Sequence, residues 1–197
     1  MTRYLSLPGY LMLLTLSLGL ISCNQPEVIK DVSDRSFQLL DQDSTVVTFP
    51  DDFAGKVTVL GYIYTHCPDV CPAITANMKS VSEQIENPSD VHFVGVSFDP
   101  RRDTPSVLAN YMNQFELNDR QFTFITGDTA TVNALLDTLN IYAAVSYTKT
   151  TDDSNQHYFM NHTNRISLLD KQGRLRLEYS GSFSKPEDIT EGINRLR

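Results

Sequence analysis

Three features of the sequence predict an α/β fold built on parallel strands. Two runs, KVTVLGYIY (Lys56 to Tyr64) and VHFVGVSF (Val91 to Phe98), are almost continuously apolar, as strands covered on both faces are. Between them Ile74, Met78, Val81 and Ile85 recur at helical spacing, which makes a βαβ unit. The 197 residues are 41% hydrophobic and 20% charged, with no repeat or low-complexity stretch, which suits one domain with its own core.

The remaining elements follow in order. SFQLL and TVVTF flank DQDS and read as a β-hairpin ahead of the βαβ unit. After it, Thr104 and Pro105 read as the cap and first turn of a helix burying Val107, Leu108, Tyr111, Met112 and Phe115. FTFIT is a short strand, and Asp128 reads as the cap of a helix carrying Val132, Leu135, Leu136 and Leu139. RISLLD and RLRLEYSG flank KQG. The second alternates Leu175, Leu177 and Tyr179 with Arg174, Arg176 and Glu178, the pattern of an edge strand with one wet face. Ser184 and Glu187 have the spacing of a capping box that opens a last helix with Ile189, Ile193 and Leu196 inward. The order βαβ, an inserted strand and helix, then ββα is that of the thioredoxin-like fold, here with an N-terminal β-hairpin.

The formal charge of −8 disfavours nucleic acid as a partner, because phosphate binding needs clustered Lys and Arg that this chain lacks. At the N-terminus, Arg3 precedes nineteen uncharged residues, Tyr4 to Ser22, whose most apolar part, Leu11 to Ile21, has the length of a signal-peptide core. The stretch ends in LISC, Leu20 to Cys23, which resembles the lipobox of bacterial lipoproteins and assigns Cys23 to lipidation. The expected organisation is a lipoprotein-type signal peptide over residues 1–22, a polar tether over 23–35 and the domain over 36–197. The competing reading is a single N-terminal transmembrane anchor, since the apolar stretch is near the spanning minimum. Either way the domain is anchored to a membrane of the cell envelope and faces outside the cytoplasm, on the periplasmic side, in an oxidising space. Cys67 and Cys71 then remain as an isolated pair.

That pair lies in YTHCPDVCPAITANM, directly after an apolar strand, where open α/β sheets place their sites. Pro68 and Pro72 stiffen the loop, Asp69 reads as the helix cap, and the helix N-terminus favours thiolates. The pair is expected to ionise, and a disulfide between the two is geometrically possible. Thioredoxin-type redox catalysts use C-x-x-C, whereas this is C-x-x-x-C. A peroxidatic cysteine should have Thr or Ser three places back, and neither cysteine does. A structural zinc site needs four ligands. Two thiolates and one imidazole suit a soft ion such as Cu(I), which accepts three-coordination.

Four histidines could supply the imidazole. His66 adjoins Cys67 and is expected to point away, and His92 reads as a surface or strand-end residue. His162 lies three residues before RISLLD. In a thioredoxin-like sheet that strand runs antiparallel to the cysteine strand, so its start shares an edge with the end of the other. His157, in the polar stretch TTDDSNQHYFMN, is the competitor.

The blocks GYIYTHCPDVCPAITANM, SFDPRRDTPSVLANYMNQF and NHTNRISLLDKQG resemble the three signatures of the Sco/SenC family of copper chaperones for cytochrome c oxidase, from about Ser36 to the C-terminus. The resemblance implies a thioredoxin-like fold and a metal site of Cys67, Cys71 and His162 binding copper, Cu(I) or Cu(II). It implies a non-enzymatic metallochaperone that delivers copper to the binuclear copper centre of cytochrome c oxidase subunit II. Other periplasmic copper carriers or thiol reductants are further partners. Two alternatives stay open: a thiol-disulfide reductase that uses Cys67 and Cys71 as a redox pair to keep the oxidase cysteines reduced, and a copper or redox sensor. Asn161 stands where the family usually has Asp, and Ser167 where an aromatic residue is common. Asp99 lies at the end of the neighbouring strand with Arg101 and Arg102 behind it. It reads as an Asp-Pro turn, or as a group setting the field at the site or docking a partner.

Overall fold

Each continuous apolar run becomes a central strand, and each amphipathic segment becomes a helix laid across it. The computed structural model describes residues 25–150 and 156–197 and, among these, all side chains except those of 148–150, 156 and 157. The signal-peptide, lipidation and Cys23 expectations lie outside the described residues. In chain order the elements are β1 (Lys30–Asp31), β2 (Phe37–Asp41), β3 (Val46–Phe49), β4 (Val57–Ile63), α1 (Val70–Gln84), β5 (Val91–Ser97) and α2 (Pro105–Gln114). There follow β6 (Phe122–Thr126), α3 (Thr129–Thr138), β7 (Ala143–Thr150), β8 (Gln156–His162), β9 (Arg165–Leu169), β10 (Arg174–Ser180) and α4 (Pro186–Leu196).

Among the described residues one sheet has the order β1-β10-β9-β4-β5-β6-β2-β3. β4, β5 and β6 are parallel, and β9 is antiparallel to β4 with Gly61 opposite Ile166. β4 and β5 are buried at every position, as their unbroken apolar sequence requires. Gly95 of β5 is needed as glycine, because a Cβ there would run into the buried Phe124 ring of β6. α1 covers the sheet with Ile74, Met78 and Val81, and α4 adds Ile189, Ile193 and Leu196, all at most 2% exposed. The thioredoxin-like order of elements, the N-terminal hairpin β2–β3 and the inserted β6–α3 are present as expected.

Four local expectations are corrected. β10 is not an edge strand: β1, in the stretch read as a tether, pairs with it, and Arg176 is buried there between Asp170 and the Pro26 carbonyl. The Ser184–Glu187 capping box does not form. α4 starts at Pro186 with Lys185 in the cap position, since the proline's fixed φ and missing N–H suit the first helical residue. Thr104 holds the cap position of α2 without a side-chain cap bond, whereas Asp128 caps α3 by accepting from the Ala130 and Thr131 N–H groups. His92 is not a surface residue: it is 8% exposed, stacked on Phe53 at 5.3 Å, with Nε2 2.9 Å from Thr123 Oγ1.

The largest departure lies between α3 and β9. The last part of the polar stretch, from Gln156, forms β8 up to His162 and pairs antiparallel with β7 in a two-stranded sheet of its own.

Candidate metal centre

Cys67 sits in the turn after β4, where its N–H donates to the Tyr64 carbonyl at 3.2 Å. Cys71 is the second residue of α1, so its backbone N–H has no partner inside the helix. It donates instead to Cys67 Sγ at 3.4 Å. Asp69 holds the cap position but makes no side-chain cap bond, contrary to expectation. Its backbone (φ −137°, ψ −83°) departs from the extended form from which a cap side chain folds back, and the Cys67 sulfur takes up a helical N–H. The Tyr64 N–H donates to Cys71 Sγ at 3.5 Å. Both cysteines are free thiols.

The loop that carries Cys67 is tied down by Asp103, which is fully buried. Its carboxylate accepts from Thr65 Oγ1 at 2.6 Å, the Thr65 N–H at 3.1 Å and Ser97 Oγ at 2.6 Å. One acid thus joins the ends of β4 and β5 to the approach of α2.

The third donor comes from the end of β8. Because β9 is antiparallel to β4, the residues entering β9 lie beside the end of the cysteine strand, and His162 Nε2 stands 3.7 Å from Cys71 Sγ. Cys67, Cys71 and His162 each offer one ligand atom, all within 4.8 Å of one another. His162 Nδ1 is 3.1 Å from the Thr163 carbonyl, which can only accept, so Nδ1 carries a proton and Nε2 faces the sulfurs, donating to the Cys67 thiolate as imidazolium and offering its lone pair once neutral. Around the imidazole, Phe98 packs at 4.7 Å and Tyr64 meets it edge-on at 5.9 Å.

The two thiols are electrostatically unlike. A hydrogen bond from the Cys71 thiol, with help from His162 and the N–H groups of Cys71 and Asp69, overcomes burial and holds Cys67 down at about 3. The same bond, used in donating, and burial push the Cys71 thiol up. Burial alone would lower His162, but its bonds to the Cys67 thiolate and the Thr163 carbonyl outweigh that and raise it. Cys67 is therefore the thiol that ionises first, while Cys71 keeps its proton as long as it donates to Cys67. Cys67 is also the more accessible, at 8% against 0% for Cys71.

His66 is exposed, with Nδ1 3.1 Å from Thr65 Oγ1, and has no part in the group. His157 lies near the start of β8, opposite Lys149, and its side chain is outside the described residues. Asp99 is 3% exposed and is more than a turn residue: it pairs with Arg102 and accepts from the Tyr158 hydroxyl at 2.6 Å. Arg101 is exposed. Ser167, where an aromatic residue is common, accepts from the Tyr62 hydroxyl at 3.1 Å in the buried layer between β4 and β9. Sequence reasoning singled out Asp99 and Arg102 but missed Tyr158 and its bonds to them. The alternation of Tyr158, Met160 and His162 with His157, Phe159 and Asn161 was the signal for a strand there.

A thioredoxin-like sheet whose edge gathers two free cysteines and an imidazole defines a protein able to hold a soft metal ion or to exchange thiols. Residues 27–197 match the SCO1/SenC family, and the chain belongs to it. A SCO2-like protein of Rickettsia prowazekii is 30% identical over 153 residues, covering 77% of this chain and 71% of the relative. Among solved structures, Bradyrhizobium japonicum ScoI with copper bound is 30% identical with a TM-score of 0.66, covering 83% of this chain and 98% of that one. A SCO1/SenC family lipoprotein from Bacillus anthracis is 26% identical with a TM-score of 0.72, covering 88% and 98%. No helix among the described residues is long and apolar enough to cross a membrane.

Proposed function

We propose that this protein is a copper metallochaperone of cytochrome c oxidase assembly, which holds its cargo ion through Cys67, Cys71 and His162 and passes it to the binuclear copper centre of oxidase subunit II. The observation that carries the reading is the convergence of three soft and borderline donors within 4.8 Å, with the histidine proton tied away on Nδ1. Copper bound to a similar ScoI structure supports the choice of ion. Cys67, already a thiolate, takes the ion first, and Cys71 loses its proton as the ion replaces the hydrogen bond between the sulfurs. The His162 imidazole completes a three-coordinate site. An incoming partner thiolate displaces one ligand at a time, beginning at the more accessible Cys67 side. The protein is held to a membrane of the cell envelope through a lipidated Cys23, with the site on the periplasmic side. The lipoprotein among its structural relatives supports this.

A second reading is supported by the unlike thiols. In a thiol-disulfide reductase the Cys67 thiolate would attack a partner disulfide and release one partner thiol. Cys71 would then break the mixed disulfide, leaving a Cys67–Cys71 disulfide and two reduced partner cysteines.

Oxidase assembly in cells carrying His162→Ala separates the two. An imidazole contributes a metal bond, while in disulfide exchange its share in holding the Cys67 thiolate is backed by the larger Cys71 bond and two backbone N–H groups, so a copper chaperone without it should fail to yield active oxidase where a reductase should not. Near-normal oxidase activity with a stably expressed, copper-free His162→Ala protein would promote the reductase. Added copper serves as the control, since it rescues a weakened delivery route but not a missing electron source.

A further inference from the structure

His162 is carried by a hairpin that no backbone ladder joins to the main sheet among the described residues. Something other than sheet register must therefore hold the imidazole over the cysteines. Tyr158, Met160 and His162 lie on one face of β8, because strand side chains alternate. Tyr158 is bound at three points. Its hydroxyl donates to Asp99 Oδ1 at 2.6 Å, its carbonyl accepts from Arg102 Nη1 at 3.1 Å, and its ring lies 3.5 Å beneath the Arg102 guanidinium. Arg102 in turn pairs through Nε with Asp99 Oδ2, and its guanidinium also lies over the Tyr64 ring, 5.6 Å from the centroid. Tyr64 belongs to the cysteine loop: its hydroxyl accepts from the Met160 N–H at 3.4 Å, its ring meets His162, and its own N–H donates to Cys71 Sγ.

We infer that Tyr158, Arg102 and Asp99 form a clasp that positions His162, fixing the free-standing hairpin against the loop after β5 so that Nε2 is presented to the two sulfurs. The inference rests on the proposed metal site but goes beyond it, by assigning the orientation of the third ligand to residues that touch no ligand atom. The burial pattern agrees: the Asp99 and Arg102 side chains are 4% and 18% exposed, whereas Phe159 and its cross-strand partner Tyr147, on the opposite face of the hairpin, are 44% or more exposed. The hairpin is seated by the clasp side and is open on the other. A charged pair enclosed by an aromatic ring and a carbonyl is a rigid seat, because the planar guanidinium offers its donors in fixed directions.

The test uses the full chain in detergent, reduced, as wild type, Arg102→Ala, Tyr158→Phe and His162→Ala, together with the Arg102→Ala, His162→Ala double variant. In the metal-free protein, proton NMR with labelled His, Tyr and Phe should show close contacts of the His162 ring with Phe98 and Tyr64. Those contacts should weaken or vanish in Arg102→Ala, with a smaller loss in Tyr158→Phe, which keeps the ring on Arg102. Cu(I) affinity, read by competition with a chromogenic chelator, should fall about tenfold or more in Arg102→Ala, the cost of losing an orienting partner. In the His162→Ala background the same change should cost less than about twofold, because a positioning residue has nothing left to position. Unchanged aromatic contacts in a folded Arg102→Ala protein, or an equal loss of affinity in both backgrounds, overturns the clasp. If Arg102→Ala does not fold, Tyr158→Phe decides by the same two readouts. A wild type that binds no copper overturns the proposed function alone, and the metal-free contacts still decide the clasp.

Discussion

His162 Nε2 lies 3.7 Å from Cys71 Sγ although 91 residues separate them in the chain. The contact exists because β9 runs back along β4, and it gives the thiol pair a third donor. Replacing His162 with Ala should lower Cu(I) affinity by at least about a hundredfold, beyond the range typical of second-layer partners. The cysteines should still form and exchange a disulfide. Chelator competition and a thiol-exchange assay on one preparation check both halves. Equal affinity in wild type and variant would exclude the imidazole as a ligand.

How this contact was legible is instructive. Cys67 and Cys71 stand out locally, because a strand, a C-x-x-x-C and a helix follow one another within thirty residues. His162 emerges only after the fold is assigned, since its partner is set by strand order and not by spacing. The hairpin beneath it was hidden by composition: TTDDSNQHYFMN is polar, and the alternation of Tyr158 and Met160 with their neighbours is short. β1 was illegible for a related reason, since two residues carry no period. The buried Arg176 belongs to the same departure, because the segment leading into β1 brings the Pro26 carbonyl onto an arginine that the alternation places on a wet face. The tie from the Tyr158 hydroxyl to Asp99, 59 residues away in the chain, leaves no mark in a linear pattern.

The close approach at Gly95 makes a stability prediction. Gly95→Ala drives a methyl group into the Phe124 ring, which is fully buried and cannot swing aside without displacing its neighbours. Overpacking of this kind costs about 1–3 kcal/mol. Urea unfolding should show a lower midpoint at an unchanged slope. A midpoint equal to wild type would mean the sheet relaxes around the added methyl.

Anchoring through Cys23 is decided by mass. The mature protein, extracted from membranes, should begin at Cys23 with a diacylglyceryl group on its sulfur and acylation of its amino group. A mature chain that begins at Met1 or Thr2 would favour a transmembrane anchor. Cys23→Ser should release no lipidated species and should leave the copper affinity of the reduced protein unchanged, since the residue lies in sequence well ahead of the domain that carries the site.

The unlike thiols predict an unlike pH response. Cys67 is held at about 3, far below the ordinary thiol value near 8.5, while Cys71 is pushed above it. The thiolate, not the thiol, reacts with iodoacetamide. A depressed value means that the charged form is already complete at neutral pH and is lost only as the pH falls toward about 3, so the alkylation rate of Cys67 should be nearly flat from pH 8 to pH 5. An ordinary cysteine would slow about a thousandfold over the same range, because its thiolate fraction falls tenfold per pH unit below its pKa. The same sign governs stability: the thiolate's hydrogen bonds contribute fully above the unfolded thiol's pKa, and that contribution is lost as the pH falls through the folded value. Peptide mapping after short exposure at each pH should place the label on Cys67 and leave Cys71 unmodified. In Cys71→Ser a hydroxyl replaces the thiol that donates to Cys67, but Cys67 also keeps the bonds from His162 and the two backbone N–H groups. Its alkylation should therefore stay flatter with pH than that of a free cysteine, whereas Cys67→Ser should abolish rapid labelling altogether. Rapid labelling of Cys71 in wild type, or a steep pH slope at Cys67, would reverse the assignment of which sulfur carries the charge.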